Sequence, residues 1–202
     1  MATKQTAPGG ARPVKRMRRL ERRAQILDAA TRAFARAGFA ATSLDDIAAE
    51  AGLTHVMLYR HFESKADMYR SVLDRACGRL AESVGGDTFD EDSLPALIRA
   101  ASADPDAFRL LFRHAAKEPE FRDLVDTFTT ASAEVARWNL AQLIPAGPWL
   151  DWAARVIPAF TADAVIAWLD AGQPDPDHAA ERISRAVHGI IQAACLTRPT
   201  TT

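Results

Sequence analysis

The chain has 202 residues, of which 48% are apolar and 25% are charged, and its formal net charge is −1. This length can bury the core of one large or two modest domains, and a nearly neutral chain does not by itself indicate a nucleic-acid partner. The charge is uneven, however, because residues 1–65 carry 12 Lys and Arg against 6 Asp and Glu, whereas residues 66–202 carry 13 against 20. The basic character is therefore confined to the N-terminal third of the chain.

Several classes of protein are disfavoured by what the sequence lacks. Cys77 and Cys195 match no metal-binding or redox spacing, which is typical of a reduced, cytoplasmic compartment. The first twenty residues hold no apolar stretch and the chain holds no run of about 18 apolar residues, so we expect neither a secretory signal nor a membrane span. Motifs for a serine nucleophile elbow, a zinc helix and a phosphate-binding glycine loop are absent. Neither His114 nor His178 has a second His or Cys at ligand spacing, so we expect no enzyme, no metal site and no cofactor.

The N-terminal segment is predicted to be a flexible arm followed by a helix. Residues 1–17 mix Pro, Gly, Thr and scattered cations without a period, a pattern that predicts a disordered basic arm. The cation-rich stretch RPVKRMRRLERR, residues 12–23, could follow a nucleic-acid backbone or remain a solvated tail. From Arg18, apolar residues recur at helical spacing up to Gly38, which we expect to cap the first helix.

Two short helices are predicted next. Ser43 and Asp46 have the spacing of a capping box, and Gly52 closes the helix that they begin. Thr54 is a suitable N-cap for a third helix. Because so few residues connect the second and third helices, the two must meet at a steep angle, and residues 18–64 are predicted to form a helix-turn-helix domain.

The third helix has two different sides. In GLTHVMLYRHF, residues 52–62, Leu58 and Phe62 share one face at about 100° per residue. In a helix-turn-helix the second helix of the motif enters the major groove of DNA, where base edges offer donors, acceptors and thymine methyl groups. The outward side chains can match each type of partner, and they are Thr54, His55, Val56, Tyr59 and Arg60.

Contacts to the DNA backbone are expected on either side of this helix. Thr42 and Ser43 lie at the start of the second helix, where free amides attract phosphate. Lys65 lies at the start of a fourth helix and is also predicted to bind phosphate.

The remainder of the chain is predicted to be helical as well. A long helix over residues 65–85 begins after the Ser64 cap, and breaks near residues 104, 118, 145 and 173 coincide with Pro, Gly and Asp. There is no alternating strand pattern of useful length and no internal repeat. The sequence therefore predicts an all-α protein.

Residues 22–73 resemble the DNA-binding domain of the TetR family of bacterial transcriptional regulators. The matching features are, in order, ILDAA with a later Phe and Gly, then TS..DIA..AG, then LYRHF.SK, and so many spaced elements in order are specific. The resemblance implies a homodimer that mostly represses, with residues 65–202 forming a helical ligand-binding and dimerisation domain. Matched position by position, the family's DNA contacts fall on Thr42, Ser43, Thr54, His55, Val56, Tyr59, His61 and Lys65.

Two features of the resemblance limit what it predicts. Arg60 occupies a position that varies within the family but often contacts DNA, and Val56 and Met57 stand where small or hydroxyl residues are more usual. No base preference is therefore predicted. The predicted function is sequence-specific binding of double-stranded DNA, at a palindromic operator, by a ligand-responsive repressor. The alternative from another class is a small-molecule-binding helical protein whose N-terminal helices dock a protein partner.

Two apolar stripes near the C-terminus predict a homodimer. They lie at helical spacing in AVIAWLDAG and AERISRAVHGIIQAACL, and the family resemblance points to the same pair of helices. One stripe per helix would form a four-helix interface across a two-fold axis; the alternative is that both stripes pack within the subunit. The predicted interface residues are Val165, Trp168, Leu169, Ile183, Val187, Ile190 and Ile191.

Aromatic residues suggest a ligand cavity. All four tryptophans lie between residues 138 and 168, and such side chains form either plain core or the wall of an apolar cavity. In the second case we expect a small apolar or aromatic effector to bind between about residues 85 and 170 and to move the N-terminal domain through the helix over 65–85. The predicted wall is Phe108, Leu111, Phe112, Phe128, Trp138, Trp152 and Phe160, with His114 as a polar anchor.

Overall fold

The computed structural model describes residues 13–85 and 92–196, with the backbone alone for residues 13–18. Those ranges contain helices and no β-strand, so the all-α prediction is confirmed. The α-helices are α1 (Pro13–Ala41), α2 (Leu44–Ala51), α3 (His55–Tyr59), α4 (Lys65–Val84), α5 (Ser93–Ala103), α6 (Pro105–Arg109), α7 (Arg122–Leu140), α8 (Pro148–Asp170) and α9 (Ala179–Ala194). Between α6 and α7 lies the irregular segment, residues 110–121, with a π-helical turn at Leu110–His114 and 3-10 turns at Ala115–Lys117 and Pro119–Phe121.

Helix α1 differs from its prediction at both ends. It begins at Pro13, so the predicted disordered arm over residues 1–17 is wrong for residues 13–17, while residues 1–12 lie outside the described ranges. Near its other end, Gly38 has φ 76 and ψ 176 and interrupts the helix, which continues to Ala41. This backbone conformation is essentially restricted to glycine. Gly38 therefore redirects the chain at the point where α1 approaches α2.

The local capping signals beyond α1 are confirmed with one exception. The Ser43 hydroxyl accepts from the Asp46 amide at 3.1 Å and the Asp46 carboxylate accepts from the Ser43 amide at 2.8 Å, which completes the capping box. The Ser64 hydroxyl likewise accepts from the amide of Asp67 at 3.0 Å at the start of α4. Thr54 precedes α3 in an extended conformation, but its side chain makes no capping hydrogen bond. Helix α3 also ends at Tyr59 rather than continuing to the predicted end at residue 62.

One apolar cluster, the large core, joins the N-terminal helices to those behind them. It includes Ile26 and Phe34 of α1, Tyr69 of α4, and Phe121 at the end of the irregular segment. The rings of Phe34 and Tyr69 meet edge to face at a centroid distance of 4.8 Å, and those of Tyr69 and Phe121 lie 4.5 Å apart. Because side chains of both domains fill this cluster, the orientation of the N-terminal helices is fixed by the helices behind them.

A second cluster, the distal core, lies where the end of α7 meets the beginning of α8 and the end of α9. Large apolar side chains near it are exposed: Trp138 is 75%, Leu143 is 62% and Trp149 is 57% accessible. This region therefore presents apolar surface to its surroundings. The buried members of the distal core are Ala136, Leu140, Ile144, Leu150, Ala153, Ala154, Ile157 and Ala194.

The prediction of an interface stripe on α8 is wrong. Val165, Trp168 and Leu169 are buried in the large core of their own subunit, because this face of α8 packs against the rest of the chain. The α9 residues of the predicted interface remain partly exposed: they are Ile183, Val187, Ile190 and Ile191.

By length and composition alone, helix α8 could also cross a membrane. The sequence did not predict this, because Arg155 and Asp163 interrupt its apolar residues. Its most apolar window has a mean hydropathy of 1.3, and 50% of that window is buried inside the protein. A core helix meets the same length and composition criteria as a membrane span. We interpret α8 as a core helix, since its buried face supplies residues to both apolar cores.

Candidate nucleic-acid interface and ligand cavities

A short turn sets the angle between α2 and α3. Gly52 ends α2 with a left-handed backbone, φ 64 and ψ 36, and its amide donates to the last turn of the helix. The amide of Leu53 donates to the Ala48 carbonyl at 2.9 Å, which closes the turn. Beneath α3, Leu58 and Phe62 are buried in the large core. One side of α3 is thereby fixed against the domain, and the opposite side faces outward.

The outward side of α3 carries side chains that are available to a partner. Val56 is 64% and Tyr59 is 57% accessible, which is unusual for large apolar and aromatic groups. Thr54 and Arg60 are exposed as well, and among the described residues the one polar contact of the Arg60 guanidinium is to the sulfur of Met57 at 3.7 Å. This surface combines a methyl-bearing side chain, hydroxyl groups and a guanidinium, and these are the partners that base edges and phosphates require.

His55 is held in one orientation by two neighbours. Its Nδ1 lies 3.3 Å from the Asp45 carboxylate, and its ring stacks on Tyr59 at a centroid distance of 5.1 Å. The other ring nitrogen, Nε2, is enclosed and has no hydrogen-bond partner among the described residues. Because the two rings stack, a movement of His55 that exposes Nε2 to a partner would also change its contact with Tyr59.

His61 connects α3 to the basic end of α1. Its Nδ1 is enclosed without a hydrogen-bond partner among the described residues. Burial lowers the pKa of His61 below its ordinary value, and the charges of Arg19, Arg23 and Arg22 lower that pKa further. The imidazole is therefore close to three arginines of the predicted cationic stretch. A phosphate placed among these groups would favour the protonated ring.

Two residues predicted to contact phosphate have structural partners inside the protein. Thr42 is buried, and its hydroxyl donates to the Gly38 carbonyl at 2.7 Å. The predicted contact of Thr42 with DNA rested on free amides at the start of α2 rather than on this hydroxyl, and it stays a prediction. The ammonium group of Lys65 donates to the carbonyls of Phe39 and Thr42 at 2.8 and 3.0 Å and lies 4.3 Å from the centre of the Phe39 ring. A phosphate contact by Lys65 stays a prediction. Ser43, by contrast, is exposed at the start of α2.

The irregular segment holds the junction between α1 and α2 from behind. The Glu118 carboxylate accepts from the Phe39 amide at 3.2 Å, and the Phe121 ring meets that of Phe39 at a centroid distance of 4.9 Å. A methyl group placed on Gly38 would lie 3.4 Å from His114 and 3.5 Å from Glu118. His114 thus faces α1, and burial lowers its pKa, with Arg113 and Lys117 adding to the effect. No local signal in the sequence reveals this contact, because Phe39 and Glu118 are 79 residues apart.

Cavities lie among the described helices behind the junction, and three of them concern the predicted ligand site. The largest of these three, of about 590 Å³, lies mainly between α7 and α8, and a second of about 180 Å³ adjoins it beside the irregular segment. A third of about 310 Å³ lies between α4 and the α5–α6 pair. The largest has the size of a pocket for a small organic molecule. Within the described residues, no group of three or more His, Cys, Asp or Glu side chains could hold a metal ion.

The predicted cavity wall is only partly correct. Phe112 and Phe128 line both of the adjoining cavities, while Leu111 and Phe108 line the smaller ones. The remaining four residues line none of the three cavities. Trp138 points into solvent and His114 faces α1. Trp152 packs on the distal core, and Phe160 is partly exposed on α8. Contact of a ligand with His114, Trp138, Trp152 or Phe160 stays a prediction.

Comparison with known proteins agrees with this architecture. Residues 26–72 match the family described as bacterial regulatory proteins, tetR family. The chain is 31% identical over 205 residues to the HTH-type transcriptional activator FasR of Mycolicibacterium smegmatis. This match covers 94% of this chain and 92% of FasR. It is 37% identical over 91 residues to the HTH-type transcriptional repressor SCO4008 of Streptomyces coelicolor, which covers 45% of this chain and 47% of that one.

A solved structure shows the same fold. The TetR-like transcriptional regulator from Rhodococcus sp. RHA1 superimposes with a TM-score of 0.72 at 20% identity, covering 83% of this chain and 93% of that chain. The similarity to FasR extends over nearly the whole of both proteins, so it includes the helices behind the N-terminal domain as well as the helix-turn-helix. The chain belongs to the TetR family of bacterial transcriptional regulators.

Proposed function

We propose that this protein is a homodimeric repressor that binds a palindromic operator through α3 and is released by a small apolar or aromatic effector. The observation that carries the proposal is the outward side of α3, where Val56, Tyr59 and Arg60 are exposed on a helix whose opposite side is buried. Such a surface is costly to leave in water unless it has a partner. A helix of this shape fits the major groove of double-stranded DNA. The work of the protein then lies in the cytoplasm, where bacterial DNA is found.

Dimerisation is inferred through the C-terminal helices. The stripe on α9 that contains Ile183, Val187 and Ile190 remains partly exposed after the subunit has folded, and Trp149 near it is exposed as well. A second copy related by a two-fold axis would cover both groups. Two N-terminal helix-turn-helix domains held in this way present two copies of α3. The matching DNA site is a palindrome with half-sites about one helical turn apart.

Release by an effector is inferred from the position of the cavities. Phe112 lines the largest cavity and belongs to the irregular segment, while Glu118 of the same segment holds the amide of Phe39 at the α1–α2 junction. A molecule that moves this segment would change the position of the N-terminal helix-turn-helix domain. It favours release only if it binds the DNA-free arrangement more tightly than the DNA-bound one.

Footprinting on the DNA that flanks the coding sequence tests the proposal. We expect protection of two symmetric half-sites, and we expect that protection to weaken steeply as salt is raised, because phosphate contacts release counterions. Absent or salt-insensitive protection would reject DNA binding at this site. It would favour the alternative, in which the N-terminal helices dock a protein partner.

The direction of regulation has a second candidate. FasR, which is similar over nearly its whole length, is named an activator, whereas SCO4008 is named a repressor. A reporter gene placed behind the protected site separates the two. Repression predicts higher expression when the protein is removed, and activation predicts lower expression.

A further inference from the structure

The largest cavity has a charged end and an apolar end. Arg137 of α7 and Asp151 and Arg155 of α8 line one end. Ala162, eleven residues beyond Asp151 on α8, lines the other together with Phe112. At a rise of 1.5 Å per residue, the two ends are roughly 16 Å apart. The cavity is therefore elongated along the helices, and its polarity changes from one end to the other.

The apolar end continues toward the second cavity. Phe112 and Phe128 line both cavities, and their rings meet edge to face at a centroid distance of 5.7 Å. Beyond this pair the wall is mostly apolar and includes Leu73 and Leu124, and Asp163 is its one charged residue. The two rings therefore separate a larger space that is charged at its far end from a smaller space beside the irregular segment.

We propose that the effector is a linear amphiphile whose carboxylate binds Arg155 and whose hydrocarbon tail points toward Phe112 and Phe128. The proposal rests on the proposed function, since it names the class of molecule that the ligand-responsive regulator would detect. Release from DNA requires a tail long enough to displace the aromatic pair and enter the second cavity. Shorter members of the series bind without releasing the DNA.

The choice of a carboxylate follows from the charges at the cavity's end. Arg137 and Asp151 neutralise each other through an ion pair of 2.8 Å. Arg155 donates through Nε to the backbone carbonyl of Asp151 at 3.2 Å, and its two terminal nitrogens have no hydrogen-bond partner among the described residues. A guanidinium offers paired donors that match a carboxylate. Glu134 lines the same cavity and is exposed, so an ammonium head is the competing possibility.

The dependence on tail length follows from the position of Phe112. Its ring packs on Phe108 at a centroid distance of 4.6 Å, and its backbone lies in the π-helical turn Leu110–His114. Such irregular turns often occur at functional sites. A tail that pushes the Phe112 ring must shift this turn, and four residues beyond it Glu118 holds the Phe39 amide. A tail too short to reach Phe112 and Phe128 leaves the hydrogen bond between Glu118 and the Phe39 amide unchanged.

The test uses hexanoate, laurate and palmitate as probes on the full-length protein. Binding is measured by calorimetry, and release is measured by displacement from the operator defined by footprinting. We expect affinity to rise with tail length, by up to roughly fourfold for each methylene that becomes buried. Release is expected with palmitate and not with hexanoate. Release that is independent of tail length would overturn the role of the aromatic pair.

Substitutions separate recognition of the ligand's carboxylate from recognition of its hydrocarbon tail. Arg155→Gln is expected to weaken laurate binding at least tenfold and Arg155→Lys to restore part of it, whereas Arg122→Gln, on the exposed first turn of α7, serves as the matched control. Phe112→Ala is expected to lose release from DNA even at palmitate concentrations that saturate the variant. Tighter binding of dodecylamine than of laurate would overturn the carboxylate assignment. Binding by none of the probes would overturn the whole inference, while the footprint would still decide DNA binding independently.

Discussion

The two apolar cores of this protein differ in how completely one chain can bury them. The large core fills the space between the N-terminal helices and those behind them, and Phe34, Tyr69 and Phe121 are fully buried within it. The distal core is smaller, and Trp138 and Trp149 remain exposed beside it. The first core is complete within a subunit and fixes the direction of α3. The second leaves apolar side chains exposed beside it, which in the proposed dimer another subunit would cover. The contrast is therefore between a core that positions α3 and a region that, under the proposal, serves assembly.

Removing an aromatic ring from the large core should have the largest effect. Phe121→Ala should lower the free energy of unfolding by about 3–5 kcal/mol, because the cavity left behind lies among closely packed rings. Since both domains share this core, thermal unfolding of the variant should remain a single transition at a lower temperature. Separate transitions for the two domains would show that the large core does not join them.

A charge placed on α9 should affect assembly and leave the subunit folded. Ile190→Glu would put two like charges near a two-fold axis and should weaken dimerisation by roughly 3–5 kcal/mol, as for an unpaired buried charge. Sedimentation should then show a particle of 22.0 kDa with unchanged helical content. Thr127→Glu, on an exposed part of α7, is the control. If Ile190→Glu keeps its helical content and its mass is that of the unaltered protein, α9 is not the interface.

The sequence predicted the local features of the N-terminal domain well, because the caps formed by Ser43, Gly52 and Ser64 involve residues only a few positions away. It misplaced contacts made by distant parts of the chain. Val165 and Ile183 both lie at helical spacing, yet spacing cannot tell a face buried in the subunit from one buried between subunits. Lys65 has the position of a phosphate-binding residue, but its ammonium also meets carbonyls that only the fold brings near.

The glycine at the junction should be more sensitive than a glycine within a helix. Gly38→Ala should cost about 1–3 kcal/mol of stability, because alanine is strained at φ 76 and ψ 176. Gly78→Ala is the matched control: this glycine lies inside α4 with nothing within 4 Å of an added methyl group, and it should gain about 0.5–1 kcal/mol. Chemical denaturation measures both values. Equal effects would mean that the bend at Gly38 can relax freely.

The smallest expected effect is a pH dependence of DNA binding through His61. Burial and three nearby arginines lower its pKa in the free protein, so the ring is neutral at pH 7 to 8, whereas phosphate would favour the protonated form. Binding should therefore take up a proton, and operator affinity should rise by less than about tenfold as the pH falls from 8 to 6. His61→Gln should remove this dependence, and His55→Gln, at the start of α3, is the control. A dependence that His61→Gln leaves intact would place the proton elsewhere.

The measurement that most directly tests whether α3 reads DNA is the affinity of the protein for a set of operators, each changed at one base pair. We expect Tyr59→Ala to weaken binding to every member of the set by a similar factor, because a hydroxyl that contacts phosphate carries no base information. We expect His55→Ala to alter the preference at one position in each half-site, by about 1–3 kcal/mol. Thr127→Ala, an exposed substitution on α7 away from α3, is the control and should leave every affinity unchanged. If His55→Ala and Tyr59→Ala both leave the affinity for every operator unchanged, α3 is not the part of the protein that reads DNA.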